Sequence, residues 1–221
     1  MSQLAEAVLQ DLLIVWSNFD SQLNQVPIIE KLQRKKFRLE DYRTLLLNLR
    51  QQVIEGSGWI SRAASSMTPP FAEFRSRLLL HAVTEHRDYE LLEQDFLSVG
   101  GTLEEIQAAS KNIGSEAFSA YMYHQASQPN PLPLLGAMFI IEGLGQHKAS
   151  QWGRAIKEQL QLDADQVKFL LYHGENDPSH MEEFHELLTL NDWLTEATAE
   201  RTVTIAKVVA RLYRLQLEEL E

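Results

Sequence analysis

The sequence predicts an all-α fold, a single-domain helical bundle, and three observations carry that prediction. Apolar residues recur at three- and four-residue intervals over long stretches. The apolar–polar alternation of a strand is missing. Glycine and proline are scarce, at 10 and 7 of 221 residues, so few points interrupt a helix. The length suits one domain over 1–221, and a hydrophobic content of 44% supplies a core.

The elements follow in order. A first stretch runs from Leu39 to about Ser66, with Tyr42, Leu45, Leu49, Val53 and Ile60 on one side. Met67-Thr68-Pro69-Pro70 punctuates it. A second runs from about Phe71 to Val99 and stops at Gly100-Gly101. Thr102 and Glu105 have the spacing of a capping box for a short helix. Another helix covers Ser115 to Ala126. Asn130 is placed to cap and Pro131 to open the next, which reaches about Leu160 and bends near Gly143 and Gly145. Asp165 to His173 reads as helix, and Gly174 and Pro178 predict irregular backbone after it. The last helix spans about Leu194 to Leu220, with Thr202, Ala206, Val209, Tyr213 and Leu217 on one side.

Composition narrows the function. No apolar run approaches the roughly 18 residues needed to span a bilayer. The first residues carry no basic cluster, so a secretory signal is not expected and a cytoplasmic location is the default. With no cysteine, disulfides, thiolate metal sites and a cysteine nucleophile are excluded. A formal charge of −11 argues against nucleic acid, which needs a basic surface. It fits either a well-solvated surface or carboxylates gathered around cations.

Three segments place metal-capable side chains where a bundle core is expected. His81, Glu85 and Asp88 fall at i, i+4 and i+7, with Leu78 and Leu92 extending the same face. The plainer alternative is a polar stripe facing water. Glu142 stands in the apolar run Phe139-Ile140-Ile141, followed by Gly143 and Gly145. If buried, it must be protonated, paired or bound to a cation; otherwise it bonds a neighbouring helix or faces water. His173, Asp177 and His180 repeat the i, i+4, i+7 spacing, and two imidazoles with a carboxylate are a familiar metal-binding set. A polar loop with incidental histidines is the alternative there. Together, the four carboxylates Glu85, Asp88, Glu142 and Asp177 balance two divalent cations, the way dimetal sites are built in helical bundles.

These segments resemble the heme-oxygenase-like dimetal oxidases of the TENA–PqqC-like superfamily, over about residues 40 to 190. His81 through Asp88 and on to Gly100 resembles the first metal-binding helix. Glu142 resembles the bridging glutamate of the second core helix, and His173-x-x-x-Asp177-x-x-His180 the third core segment. The resemblance implies the heme-oxygenase-like fold and a central site for one or two Fe2+ ions, with manganese as the alternative metal. It further implies dioxygen as co-substrate, oxidation of a small organic substrate, and a fold compatible with a homodimer. Carried over residue by residue, Glu85, Glu142 and His173 would serve one metal, and Asp88, Glu142, Asp177 and His180 the other. Asp88 departs from the pattern, which has histidine there. His81, seven residues earlier, is a substitute or supporting ligand.

Other branches of the fold fit less well. Heme oxygenases use an axial histidine on the first helix, and no histidine precedes His81. The thiaminase branch needs a cysteine. A metal-free PqqC-like oxidase needs a basic pocket for an anionic substrate, which this carboxylate-rich site does not favour. A non-enzymatic interaction module with a degenerate metal site is the alternative from a different class.

Overall fold

The computed structural model describes residues 2–220, with side chains throughout except at 176–179 and 191. Twelve α-helices and no strand are present among them. The first 38 residues, unassigned from the sequence, form α1 (Gln3–Leu23) and α2 (Pro27–Gln33). α1 buries Ala5, Val8, Leu12, Val15 and Phe19, one stripe at three- and four-residue steps.

The expected helix 39–66 is two: α3 (Leu39–Val53) and α4 (Gly56–Ser65). The expected helix 71–99 also divides, into α5 (Ala72–Glu85) and α6 (Tyr89–Ser98). No glycine or proline marks that second break, which falls at His86, Arg87 and Asp88. There the chain turns through Asp88 N–H to Glu85 carbonyl and Leu91 N–H to Asp88 carbonyl bonds. Asp88 therefore no longer shares a continuous helical face with His81 and Glu85.

The capping box forms as expected before α7 (Leu103–Ala108): Thr102 N–H donates to Glu105 at 2.7 Å, and Glu105 N–H to Thr102 Oγ1 at 3.2 Å. α8 (Ile113–Ala126) starts two residues earlier than predicted, because Asn112 accepts from Ser115 N–H at 2.8 Å. Asn130 does not cap the next helix. Its backbone sits in the left-handed region (φ 48°), and its side chain accepts from both Thr68 N–H and Oγ1. A 3-10 turn at Leu132–Leu134 leads instead into α9 (Leu135–Leu144).

The bend expected near Gly143 and Gly145 is a π segment, Gly145–Ala149, which joins α9 to α10 (Ser150–Leu160) without a loop. After a 3-10 turn at Ala164–Gln166, α11 (Lys168–Thr189) runs through the positions where irregular backbone was expected. α12 (Glu196–Glu218) closes the chain, capped by Thr195.

α12 lies beside α1, α8 and α9, while α11 packs on α9, the π segment and α10. Close approach is written into two glycines. A side chain at Gly136 would overlap the Thr202 carbonyl of α12, and one at Gly174 would overlap Ser150 beside the π segment. The start of α11 is fixed by fully buried Asp95 of α6, which accepts from the backbone N–H groups of Lys168 and Phe169 at 2.9 and 3.0 Å. α5, α9 and α11 meet in the interior, where His81 of α5 and His180 of α11 both reach Glu142 of α9. No helix among the described residues is long and apolar enough to cross a membrane.

Candidate metal centre

Each of the three facing helices contributes to one interior cluster of histidines and carboxylates. α5 brings His81 and Glu85, one turn apart, and the turn after it brings Asp88. α9 brings Glu142 in its last turn, directly before the π segment. α11 brings His173 and His180. His81, Asp88 and Glu142 are buried, and the other three are mostly shielded. Asp177 lies outside the described side chains.

The six described candidates fall into two groups. His81, Glu142 and His180 offer ligand atoms all within 4.8 Å of one another, as do Glu85, Asp88 and His173. In the first, His180 Nδ1 is 2.8 Å from Glu142 Oε2 and His81 Nε2 is 3.4 Å from Glu142 Oε1. The two imidazole rings meet edge to face at 4.7 Å. In the second, His173 Nε2 is 3.2 Å from Asp88 Oδ2. Glu85 joins the groups, with Oε1 3.7 Å from His180 Nδ1. The grouping differs from the one the resemblance implies. Asp88 stands with His173 rather than His180, and His81 takes a place beside Glu142. The turn at 86–88 accounts for both, because it carries Asp88 away from the face that His81 holds.

Burial would raise the pKa of Glu142, but hydrogen bonds from His180 and His81 override it and hold the carboxyl down at about 2. Burial would lower His81, yet Glu142 and a further carboxylate, Glu183, push it up to about 10. His180 is likewise raised against burial, mainly by Glu142. Glu85 is pushed up to about 7 by burial and by the nearby charge of Glu142, with His81 offsetting part of it. Without a cation, the centre is thus held together by protons on imidazoles, and a metal ion would replace them.

The donor set fits a transition metal of intermediate hardness. Only imidazole nitrogens and carboxylate oxygens are offered, and two histidines with one carboxylate is the arrangement found around non-heme Fe(II). Buried carboxylates also call for a balancing charge. A cavity of about 90 Å³ reaches part of this group, with Trp59, Phe74, Met122, Leu134, Met138 and Ile141 on its walls. His81, Glu85 and Glu142 are its ionisable lining residues; Asp88, His173 and His180 do not line it.

Glu183, one turn beyond His180, was not singled out from the sequence. Its Oε2 is 3.1 Å from His81 Nδ1, on the opposite side of the ring from Glu142. The i, i+3 spacing from His180 was the signal that could have found it.

The fold matches solved structures over nearly the whole chain. The fold is the heme-oxygenase-like fold. A domain of unknown function with that fold from Shewanella denitrificans matches with a TM-score of 0.86 at 20% identity, covering 93% of this chain and 88% of its own. A TenA homolog from Pseudomonas syringae matches at 0.75 and 15% identity, covering 100% and 97%. Heme oxygenase-1 from the cyanobacterium Synechocystis, solved with heme, matches at 0.69 and 17%, covering 100% and 93%. A model of the iron-containing redox enzyme family matches residues 84–216, more than half of the sequence, and the chain belongs to that family. No curated protein gave a match.

Proposed function

We propose that this protein is a non-heme iron oxidase or oxygenase that uses dioxygen to oxidise a small apolar organic substrate. The observation that carries this reading is the group of His81, Glu142 and His180, of which His81 and Glu142 line an apolar cavity. Family membership supports iron and redox chemistry; the two-histidine, one-carboxylate set supports Fe(II) held without heme. Iron bound there would supply the electrons and the coordination position that dioxygen needs.

The chain's own residues do the rest. His81, Glu142 and His180 bind the ion in the first group, and Glu85, Asp88 and His173 supply donors for a second. Glu85, raised to about 7, can hold or release a proton at the boundary between the groups. The apolar walls exclude water and orient a substrate whose single polar group reaches the centre, since the cavity lining offers no lysine or arginine for a distant anion.

The test is an anaerobic Fe2+ titration of the full chain followed by a pulse of dioxygen. Binding of one or two ions and oxygen uptake above that of free iron are expected. A second reading draws on Glu142 and Asp88 already having imidazole partners: the groups only pair with one another, in a metal-free oxidase or an interaction module. Failure to bind iron, or uptake no greater than free iron gives, would favour it.

A further inference from the structure

His81 is held from both sides. Its Nε2 faces Glu142 across 3.4 Å, and its Nδ1 faces Glu183 Oε2 across 3.1 Å. The two ring nitrogens point to opposite edges of the imidazole, so only Nε2 addresses the centre. Glu183 belongs to neither donor group among the described residues. Its carboxylate is largely shielded, at 18% side-chain exposure. His173 shows the same device with a backbone partner. Its Nδ1 is 2.9 Å from the Phe169 carbonyl, one turn back on α11, which leaves Nε2 for Asp88.

We infer that Glu183 is the positioning residue for His81: it accepts the Nδ1–H, fixes the ring, and leaves Nε2 as the nitrogen that a metal takes. The inference rests on reading His81 as a ligand. A carboxylate behind a ligating imidazole sets its tautomer and raises its basicity. The need is plain at this position. His81 sits on α5, which ends one turn later, and among the described residues its two ring nitrogens meet the side chains of Glu142 and Glu183 rather than a backbone carbonyl of the kind that holds His173. Without Glu183 the ring would be free to turn about its side-chain bonds, and Nδ1 would compete for the ion. Glu183 also ties α11 to α5, so the helix that delivers His180 also orients the histidine opposite it.

The test uses Co2+ as the probe metal on the full chain, with affinity read by competition with a chelator. Glu183→Ala is expected to weaken binding by about 10- to 100-fold. Glu183→Gln keeps an oxygen acceptor for Nδ1–H and is expected to stay close to the unaltered chain. A structural role alone would not move the second readout. In the Co2+-loaded protein, the paramagnetically shifted His81 Nδ1–H proton should exchange slowly in the unaltered chain and in Glu183→Gln, and vanish into fast exchange in Glu183→Ala. If Glu183→Ala binds Co2+ as well as the unaltered chain while His81→Ala does not, the inference about Glu183 is overturned and the metal reading stands. If Ala and Gln weaken binding equally with the proton signal intact, the positioning role is also overturned. If His81→Ala leaves binding unchanged, the metal reading of His81 itself fails.

Discussion

The Nδ1 of His180, on α11, stands 2.8 Å from Oε2 of Glu142, on α9. Two helices distant in sequence are joined through the one carboxylate that both imidazoles of the first group share. Replacing that carboxylate in Glu142→Gln should lower Fe2+ affinity by more than about 100-fold, beyond the range for groups that only support a ligand. Equilibrium dialysis under anaerobic conditions measures it, and undiminished binding would remove Glu142 from the centre.

Metal uptake should also release protons. His81 is held at about 10, so at neutral pH its proton must leave before Nε2 can bind an ion. Affinity is therefore expected to rise with pH between 6 and 8, by about tenfold per unit for each proton displaced. A flat affinity profile, or no proton release in a calorimeter with buffers of different ionisation heat, contradicts this.

Asp88 and His173 predict stoichiometry. They pair at 3.2 Å and, with Glu85, make the second group. If the unaltered chain takes two ions, Asp88→Asn should take one, because the first group contains none of these side chains. Loss of both ions would mean that the groups do not fill independently.

The cavity predicts a separation of binding from metal content. Ala63 lines it, and Ala63→Phe would fill space that a substrate needs. Iron content should stay as it is, while binding of decanol, followed by tryptophan fluorescence, should be lost. The overpacking cost should not exceed about 1–3 kcal/mol. Retained decanol binding would place the substrate elsewhere.

Asp95 predicts a slope in stability. Burial outweighs its two backbone hydrogen bonds and raises it from 3.8 to about 6. The native chain thus keeps a proton there that the unfolded chain has released, so this residue makes stability fall as pH rises from about 4 to 6. Asp95→Asn cannot accept from both Lys168 and Phe169, since one oxygen becomes a donor. It should cost about 1–3 kcal/mol and remove that part of the slope. Urea melts from pH 4 to 7 on both proteins decide it.

Much of this was legible in the sequence. The all-α class followed from periodicity, since burying one stripe of each helix leaves little other choice. That six of the candidates would come together followed from carboxylates and histidines set at helical spacing. Their pairing did not follow, because it depends on how each helix is rotated about its axis. The break at 86–88 shows why: the chain turns there although His86, Arg87 and Asp88 carry no helix-stopping residue. Asn130 likewise looked like a cap, yet a partner far away in sequence, Thr68, claims its side chain. Glu183 passed unnoticed because one acidic residue among several on a helix gives no sign of which histidine it meets.

The π segment at Gly145–Ala149 begins three residues after Glu142. A π turn is an α-helix carrying a surplus residue, so its removal is a matter of counting. Deleting one residue between 145 and 149 would let α9 and α10 merge into a regular helix. The chain downstream would keep its phase, because the surplus residue is what the π turn takes up. If instead the same residues wound as a regular α-helix with none removed, everything downstream would swing by about 100°, one residue's share of a turn. Trp152 and Ile156 would then leave the interior, and Ser150 would no longer meet Gly174. The phase between the two halves of this helix, and with it the seat of α11, is held by the one residue that the π turn absorbs.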